Sequence, residues 1–319
     1  MKTESGTDIL KAAELLSRDA VVAIPTETVY GLAANALSET AVVKIFEAKD
    51  RPFFDPLIVH IKKSDDPARY VSLIPDIAKK LMNRFWPGPL TIVLPKTDII
   101  PSIVTAGQDT VGLRMPSHPL VQQLLELVAF PLAAPSANPF GYISPTTAKH
   151  VFDQLDGRIP YILDGGPSTV GLESTIIGFE GDEPIVYRLG GTPIEDIETI
   201  TGKIKMQINL SSNPIAPGQL KSHYAPAKLV FIGDIELLMN QHPGKKLGII
   251  SFEKEWNASN IILNWVLSKS GNTEEAAVNL FRAMREADNS AVEIIFAEVF
   301  PEVGLGRAIN DRLSRAAVR

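Results

Sequence analysis

Short apolar runs punctuated by proline or glycine recur along the first two-thirds of the chain: "AVVAIP" (20–25), "PLIVHI" (56–61), "LTIVLP" (90–95), "VGLRMP" (111–116), "PLAAPS" (131–136), "YILDGG" (161–166), "STIIGF" (174–179) and "PIVYRLG" (184–190). Each is long enough for a buried strand and too short for a helix. Helical spacing of apolar residues falls between them, at 8–19 (with Asp8 as N-cap), at 38–50, and near 76–85, 118–128, 146–153 and 193–200. Strands outnumber helices and their order is irregular. That predicts a mixed α/β or α+β sheet and excludes a regular doubly wound one.

The pattern changes near residue 227. "KLVFIG" (228–233), "KLGIISF" (246–252) and "VEIIFAE" (292–298) are apolar strands. "NTEEAAVNLFRAMREAD" (272–288) puts Ala277, Leu280, Phe281 and Met284 on one helical face, with Asn272 and Glu275 as a capping pair. A last helix covers 305–317. This predicts a small parallel α/β, Rossmann-like domain at 227–319, a first domain at 1–204 and a connector at 205–226. A chain of 319 residues is long enough for two cores.

Composition narrows the function. There is no cysteine, which excludes disulfides, thiolate nucleophiles and cysteine-ligated metal. The five histidines include no pair at zinc-binding spacing, so no metal ligand is assigned. "GLGRAI" (304–309) lacks the third glycine of a dinucleotide fingerprint and reads as a tight turn into a helix. No apolar run is long enough to span a bilayer, and "MKTESGTDIL" is no secretory signal; the expectation is a cytoplasmic protein without membrane contact. A net charge of −6 argues against a broad nucleic-acid-binding face but leaves room for a local anion pocket.

The polar residues of the first unit gather at strand ends. Lys49 and Arg51 precede one strand, Arg114 ends another, Ser136, Asn138 and Ser144 occupy an amide- and hydroxyl-rich turn, and Glu173, Ser174 and Arg188 follow. Singly, each has a structural reading: Arg51 a surface ion pair, Ser136 and Asn138 turn formers, His60 a core histidine, Tyr30 sheet packing. Together, four cations and several hydroxyls at strand ends suit a phosphate-bearing ligand.

The ordered blocks "PTETVYGL", "WPGPLT", "GLRMP", "SANPFGYISPT" and "ESTII", the Lys-x-Arg element at Lys49 and Arg51, and the Ser-x-Asn element at Ser136 and Asn138 resemble the YrdC-type threonylcarbamoyl-AMP synthases in their longer, two-domain form. "PGQLKSHYAP" is similar to that family's interdomain loop. The resemblance implies a YrdC-like twisted mixed sheet followed by the extra domain. It implies synthesis of L-threonylcarbamoyl-AMP from L-threonine, bicarbonate and ATP, with release of pyrophosphate and with Mg²⁺ accompanying ATP. The product would serve a downstream tRNA threonylcarbamoyl transferase complex acting on the adenosine next to the anticodon, with direct tRNA contact open. Carried over by motif, the threonine pocket comprises Thr28, His60, Arg114, the backbone near Ala134, and Ser174. Arg114 is the partner expected to grip the substrate carboxylate in bidentate fashion. The nucleotide side comprises Arg51, Asp55, Thr110, Ser136, Ser144, Arg188 and Tyr224. Lys49 and Asn138 join Arg51 and Ser136 at the phosphates as the catalytic set. Asp55 stands where the family more often has Asn, and Phe140 where it more often has a small residue.

Two other readings stay open from the residues: a YrdC-like module that binds RNA without catalysis, and a different ATP-dependent carbamoylating enzyme. The connector carries Lys221, His223 and Tyr224 between Pro217 and Pro226. It is expected to cross the mouth of the first domain's pocket at 211–226, with the second domain anchoring its far end and not needing to carry catalytic groups.

Overall fold

The computed structural model describes residues 2–208, Pro217 and residues 224–318. In the first unit the elements are β1 (Glu4–Gly6), α1 (Ile9–Ser17), β2 (Val22–Ile24), β3 (Gly31–Asn35), α2 (Glu39–Lys49), β4 (Ile58–His60), α3 (Asp76–Phe85), β5 (Leu90–Pro95), β6 (Thr110–Arg114), α4 (Pro119–Leu127), β7 (Leu132–Ala133), α5 (Ala148–Leu155), β8 (Tyr161–Leu163), β9 (Thr175–Glu180), β10 (Glu183–Arg188), α6 (Ile194–Thr201) and β11 (Lys205–Met206). The strands form one mixed sheet in the order β1-β8-β2-β3-β7-β4-β6-β5-β9-β10-β11. The second unit holds β12 (Leu229–Ile232), α7 (Ile235–Gln241), β13 (Leu247–Ser251), β14 (Ile261–Val266), α8 (Thr273–Asp288), β15 (Ile294–Ala297) and α9 (Gly306–Ala317). Its sheet, in the order β12-β15-β13-β14, is wholly parallel.

Side-chain caps set several helix starts. Asp8 accepts from the amides of Leu10 and Lys11, Ser38 caps α2 through Ala41, and Thr147 caps α5 through His150. Asn272 caps α8 as expected, but Glu275 does not close the box. Its carboxylate accepts from Ser268 and Ser270 instead, and the Ser268 hydroxyl takes the Asn272 amide. Gly306 fits the turn reading of "GLGRAI": a Cβ there would lie 1.9 Å from the Pro301 carbonyl oxygen.

The sequence patterns miss β1, β3, β11, α7 and β14. β3 is "GLAAN", small residues of low strand propensity held between β2 and β7 by antiparallel ladders. β11 lies beyond the expected boundary at 204 yet pairs with β10, so the first sheet runs through Met206.

Registers decide what meets at the strand ends. In the parallel pair β4–β6, His60 is the partner of Arg114, so both side chains leave the same face side by side. Arg114 is also the antiparallel partner of Thr91 on β5.

Candidate active site

One enclosed cavity of about 50 Å³ lies where β4, β6, β9 and β10 end. Two grooves of about 530 Å³ are larger, but none of their cations is buried: Arg158, Lys63 and Lys79 are exposed and Lys44 is half-buried. Only a buried cation keeps its attraction for an anion unscreened. The smaller cavity collects three buried guanidinium groups, Arg51, Arg114 and Arg188, around Thr28, His60, Ser136 and Ser174.

Arg51 reaches the cavity because α2 stops at Lys49 and Asp50 turns the chain in the left-handed region (φ 52°). Lys49 and Arg51 therefore diverge. The Lys49 ammonium donates to the carbonyl oxygens of Ser136 and Asn138 and braces that turn from behind. Burial, and then Arg51, push its pKa well below the ordinary lysine value. Arg51 donates from Nη2 to the Pro56 carbonyl at 2.9 Å and meets Asp55 Oδ2 at 2.8 Å. This contact lacks hydrogen-bond alignment, and both Asp55 oxygens are buried without a hydrogen-bond partner. Burial raises the Asp55 carboxyl, and Arg51 opposes the rise. Phe140 lies over Arg51, its ring centre 6.0 Å from Cζ.

Arg114 donates from Nη2 to Glu27 Oε1 at 2.6 Å and from Nε to the Gly88 carbonyl. The expected two-pronged grip on a substrate carboxylate is left to Nη1 and the second hydrogen of Nη2, because Nε serves Gly88 and one Nη2 hydrogen serves Glu27. Glu27 had no assigned role, and the "PTET" block gave no sign that it would pair with Arg114, 87 residues away. Burial, and then Arg114, bring the His60 imidazole down to about 3, so it works as a neutral group.

Arg188 donates from Nη2 to both the carbonyl and the hydroxyl of Ser174, at 2.9 and 3.1 Å, and from Nη1 to the Pro217 carbonyl. Gly190 makes this packing feasible, since a Cβ there would come within 2.3 Å of the Glu173 carbonyl oxygen. Tyr224, at φ 63°, closes one wall of the cavity. Its ring stacks on Phe281 of α8 at 5.6 Å, and burial lifts its phenol to about 12.

Thr28, Arg51, His60, Arg114, Ala134, Ser136, Ser174, Arg188 and Tyr224 thus share the cavity. Five candidates do not line it. Lys49 and Asn138 belong to the brace behind Ser136; the Asn138 amide nitrogen donates to the carbonyls of Pro139 and Tyr142. Asp55 sits beneath Arg51. Ser144 donates to Glu173 Oε1. Thr110 lines a neighbouring cavity that shares Ile58 and Pro217 with the first. Lys221 and His223 lie outside the described residues.

A mixed sheet that focuses buried guanidinium and hydroxyl groups on one cavity defines an enzyme of the electrostatic, positioning kind for small anionic substrates. Comparisons narrow the class. Residues 14–190 match the family model described as "Telomere recombination", and residues 192–318 match the one described as "Threonylcarbamoyl-AMP synthase, C-terminal domain". The chain is 41% identical to the threonylcarbamoyl-AMP synthase of Pyrococcus abyssi (96% of this chain, 93% of that one) and 43% identical to that of Bacillus subtilis (97% and 92%). The crystal structure of P. abyssi Sua5 complexed with L-threonine superposes with a TM-score of 0.92 at 40% identity, covering 99% of this chain and 98% of the other. The chain belongs to the two-domain threonylcarbamoyl-AMP synthase family.

Proposed function

We infer that the chain synthesises L-threonylcarbamoyl-AMP from L-threonine, bicarbonate and ATP and releases pyrophosphate. The single observation that carries this reading is the convergence of Arg51, Arg114 and Arg188 on one closed cavity. The threonine amine and bicarbonate lose water to give a carbamate. A carbamate oxygen then attacks the α-phosphorus of ATP, and the bond to the departing pyrophosphate breaks. Both carbamate and mixed anhydride decompose in water, so a closed cavity serves the chemistry.

Arg114, neutral His60, Thr28, Ser174 and the backbone at Ala134 form the threonine side. Arg51, Ser136, Arg188 and Tyr224 form the nucleotide side, with Lys49 and Asn138 holding Ser136 in place. A volume of about 50 Å³ is far below the ~300–1,000 Å³ of usual ligand sites, so a wall must move to admit ATP. Mg²⁺ enters with ATP as part of the substrate. Among the described residues no group of three acidic or histidine side chains could cage a metal. The orphaned oxygens of Asp55 suit a ribose hydroxyl or a water of that ion, the single-carboxylate mode Mg²⁺ often uses.

On this reading the adenylate passes to a tRNA threonylcarbamoyl transferase complex, and the reaction is a cytoplasmic one. No described helix is long and apolar enough to cross a membrane. Direct tRNA contact by this chain is tested by gel shift. The buried cations favour a small-molecule site over an RNA-binding face, where phosphate-contacting cations must be reachable by a duplex or strand. The test is mass spectrometry of the product, together with pyrophosphate release that requires L-threonine, bicarbonate and Mg²⁺. Equal release without threonine would leave an ATPase, and tight RNA binding without product would leave a binding module.

A further inference from the structure

Helix α9 of the second unit carries a guanidinium into the wall of the first. The Arg312 side chain is fully buried. Its Nε donates to Glu173 Oε2 at 2.8 Å, its Nη2 to the Leu189 carbonyl at 2.8 Å and its Nη1 to Asp311 Oδ2 at 2.6 Å; the Tyr224 ring centre lies 5.0 Å from Cζ. Asp311 is also held by Arg315, at 3.0 and 3.1 Å. The second oxygen of Glu173 accepts from the Ser144 hydroxyl at 2.5 Å. Both Glu173 oxygens are thus engaged.

The competition for Glu173 gives this contact its meaning. Glu173 and Arg188 both line the cavity, and Arg188 is anchored on Ser174, the next residue along the chain. Among the described residues Arg188 has no carboxylate within ion-pair distance, whereas Arg51 has Asp55 and Arg114 has Glu27. A buried carboxylate between two guanidinium groups cannot serve both fully, and an unpaired buried charge is strongly disfavoured. With Arg312 present, Glu173 is pulled toward the second unit and Arg188 keeps its charge. Without Arg312, the guanidinium left for Glu173 in that cavity is Arg188, the one with no carboxylate partner among the described residues.

We propose that Arg312 is a positioning residue for the nucleotide: it sequesters Glu173 so that Arg188 stays open to the phosphates of ATP. The proposal rests on the assignment of Arg188 to the nucleotide side. It gives the second domain a part in substrate binding beyond anchoring the connector.

The experiment compares Arg312→Gln, Arg312→Lys, the double variant Arg312→Gln/Glu173→Gln and Arg188→Ala in the full-length protein. Calorimetry with a non-hydrolysable ATP analogue and, separately, with L-threonine gives the two affinities. Losing a charge-assisted contact changes an equilibrium by about 10- to 150-fold. Arg312→Gln is expected to weaken the nucleotide by at least about tenfold and threonine by less than about threefold, Arg312→Lys to stay near wild type, and the double variant to recover most of the loss. Equal weakening of both ligands, a lysine variant as poor as the glutamine one, or no recovery in the double variant would overturn the proposal. If Arg312→Gln does not fold, the lysine and double variants decide alone: nucleotide affinity retained in both supports it, and loss in either rejects it. If Arg188→Ala leaves nucleotide affinity intact, the assignment of Arg188 has failed. If Arg188→Ala weakens the nucleotide and Arg312→Gln does not, only the role of Arg312 has failed.

Discussion

Arg114 and Arg51 sit on the same cavity but lean on different partners, so their removal should have different consequences. Arg114→Ala strands Glu27, whose Oε2 is already buried without a hydrogen-bond partner. Breaking such a pair costs about 3–5 kcal/mol, which at ~2–4 °C per kcal/mol lowers the unfolding temperature by roughly 10 °C. Threonine affinity should fall with it. Adding Glu27→Gln should restore much of the thermal stability and none of the threonine binding; recovery of both would remove Arg114 from the pocket. Arg51→Ala should chiefly weaken the nucleotide, by roughly 10- to 150-fold in calorimetry. His60 supplies a pH prediction. Its folded value, about 3, lies below the 6.5 of a free imidazole, so the unfolded chain takes up the proton first. The penalty is absent above pH 6.5 and grows by up to ~1.4 kcal/mol per pH unit as acid moves from 6.5 toward 3. His150, lowered to about 4 chiefly by burial, adds to the same limb. His60→Gln should flatten the acid fall of the unfolding temperature between pH 6.5 and 4, and an unchanged slope would show that the imidazole is protonated in the fold.

Among the elements, the connector supplies part of the cavity wall. Of its described residues, Pro217 and Tyr224 line the cavity; Arg188 holds the first by its carbonyl, and Phe281 and Arg312 of the second unit back the second. A tyrosine held at positive φ is a strained choice, tolerated where surroundings over-determine it. Tyr224→Ala removes the wall and should shorten the lifetime of the bound adenylate, read as faster appearance of AMP and threonine from the enzyme-bound product. A product lifetime equal to wild type would reduce the connector to a spacer. α2 shows how an element directs two neighbours apart. The left-handed turn at Asp50 sends Lys49 into the brace behind Ser136 and Arg51 into the cavity. Two cations spaced two apart therefore do different work.

Across the whole molecule the two sheets share a core. One apolar cluster runs without a break from Tyr30, Phe46 and Leu172 of the first unit through Tyr224 to Phe281 and Ile309 of the second. Polar ties cross the same boundary: Arg285 donates to the carbonyls of Ile143 and Ser144, the Tyr142 hydroxyl donates to Asp288, and Arg312 meets Glu173. Units joined in this way should melt together. Scanning calorimetry should give one transition, whereas two well-separated peaks would show independent domains. Cutting the chain after Met206, which keeps β11 in its sheet, should yield a first unit that aggregates, because it exposes this apolar face and leaves Glu173 without its cation.

The element types were legible because they rest on local pattern: the short apolar runs at β4, β5 and β9, the amphipathic face of α8, and the caps at Asp8 and Asn272 are all written within a few residues. The cavity residues Arg51, Arg114, Ser136 and Ser174 were legible for a second reason, since they stand in ordered blocks that resemble one family. What local order cannot carry is pairing at long range. "GLAAN" became a strand only because β2 and β7 offer it ladders. Lys49 turned to a brace because the Ser136 and Asn138 carbonyls lie within its reach. Glu27 found Arg114 across 87 residues, and Glu173 found Arg312 across 139. A buried charge takes the partner that desolvation leaves beside it, and that partner is fixed only when the sheets have closed and the second domain has docked.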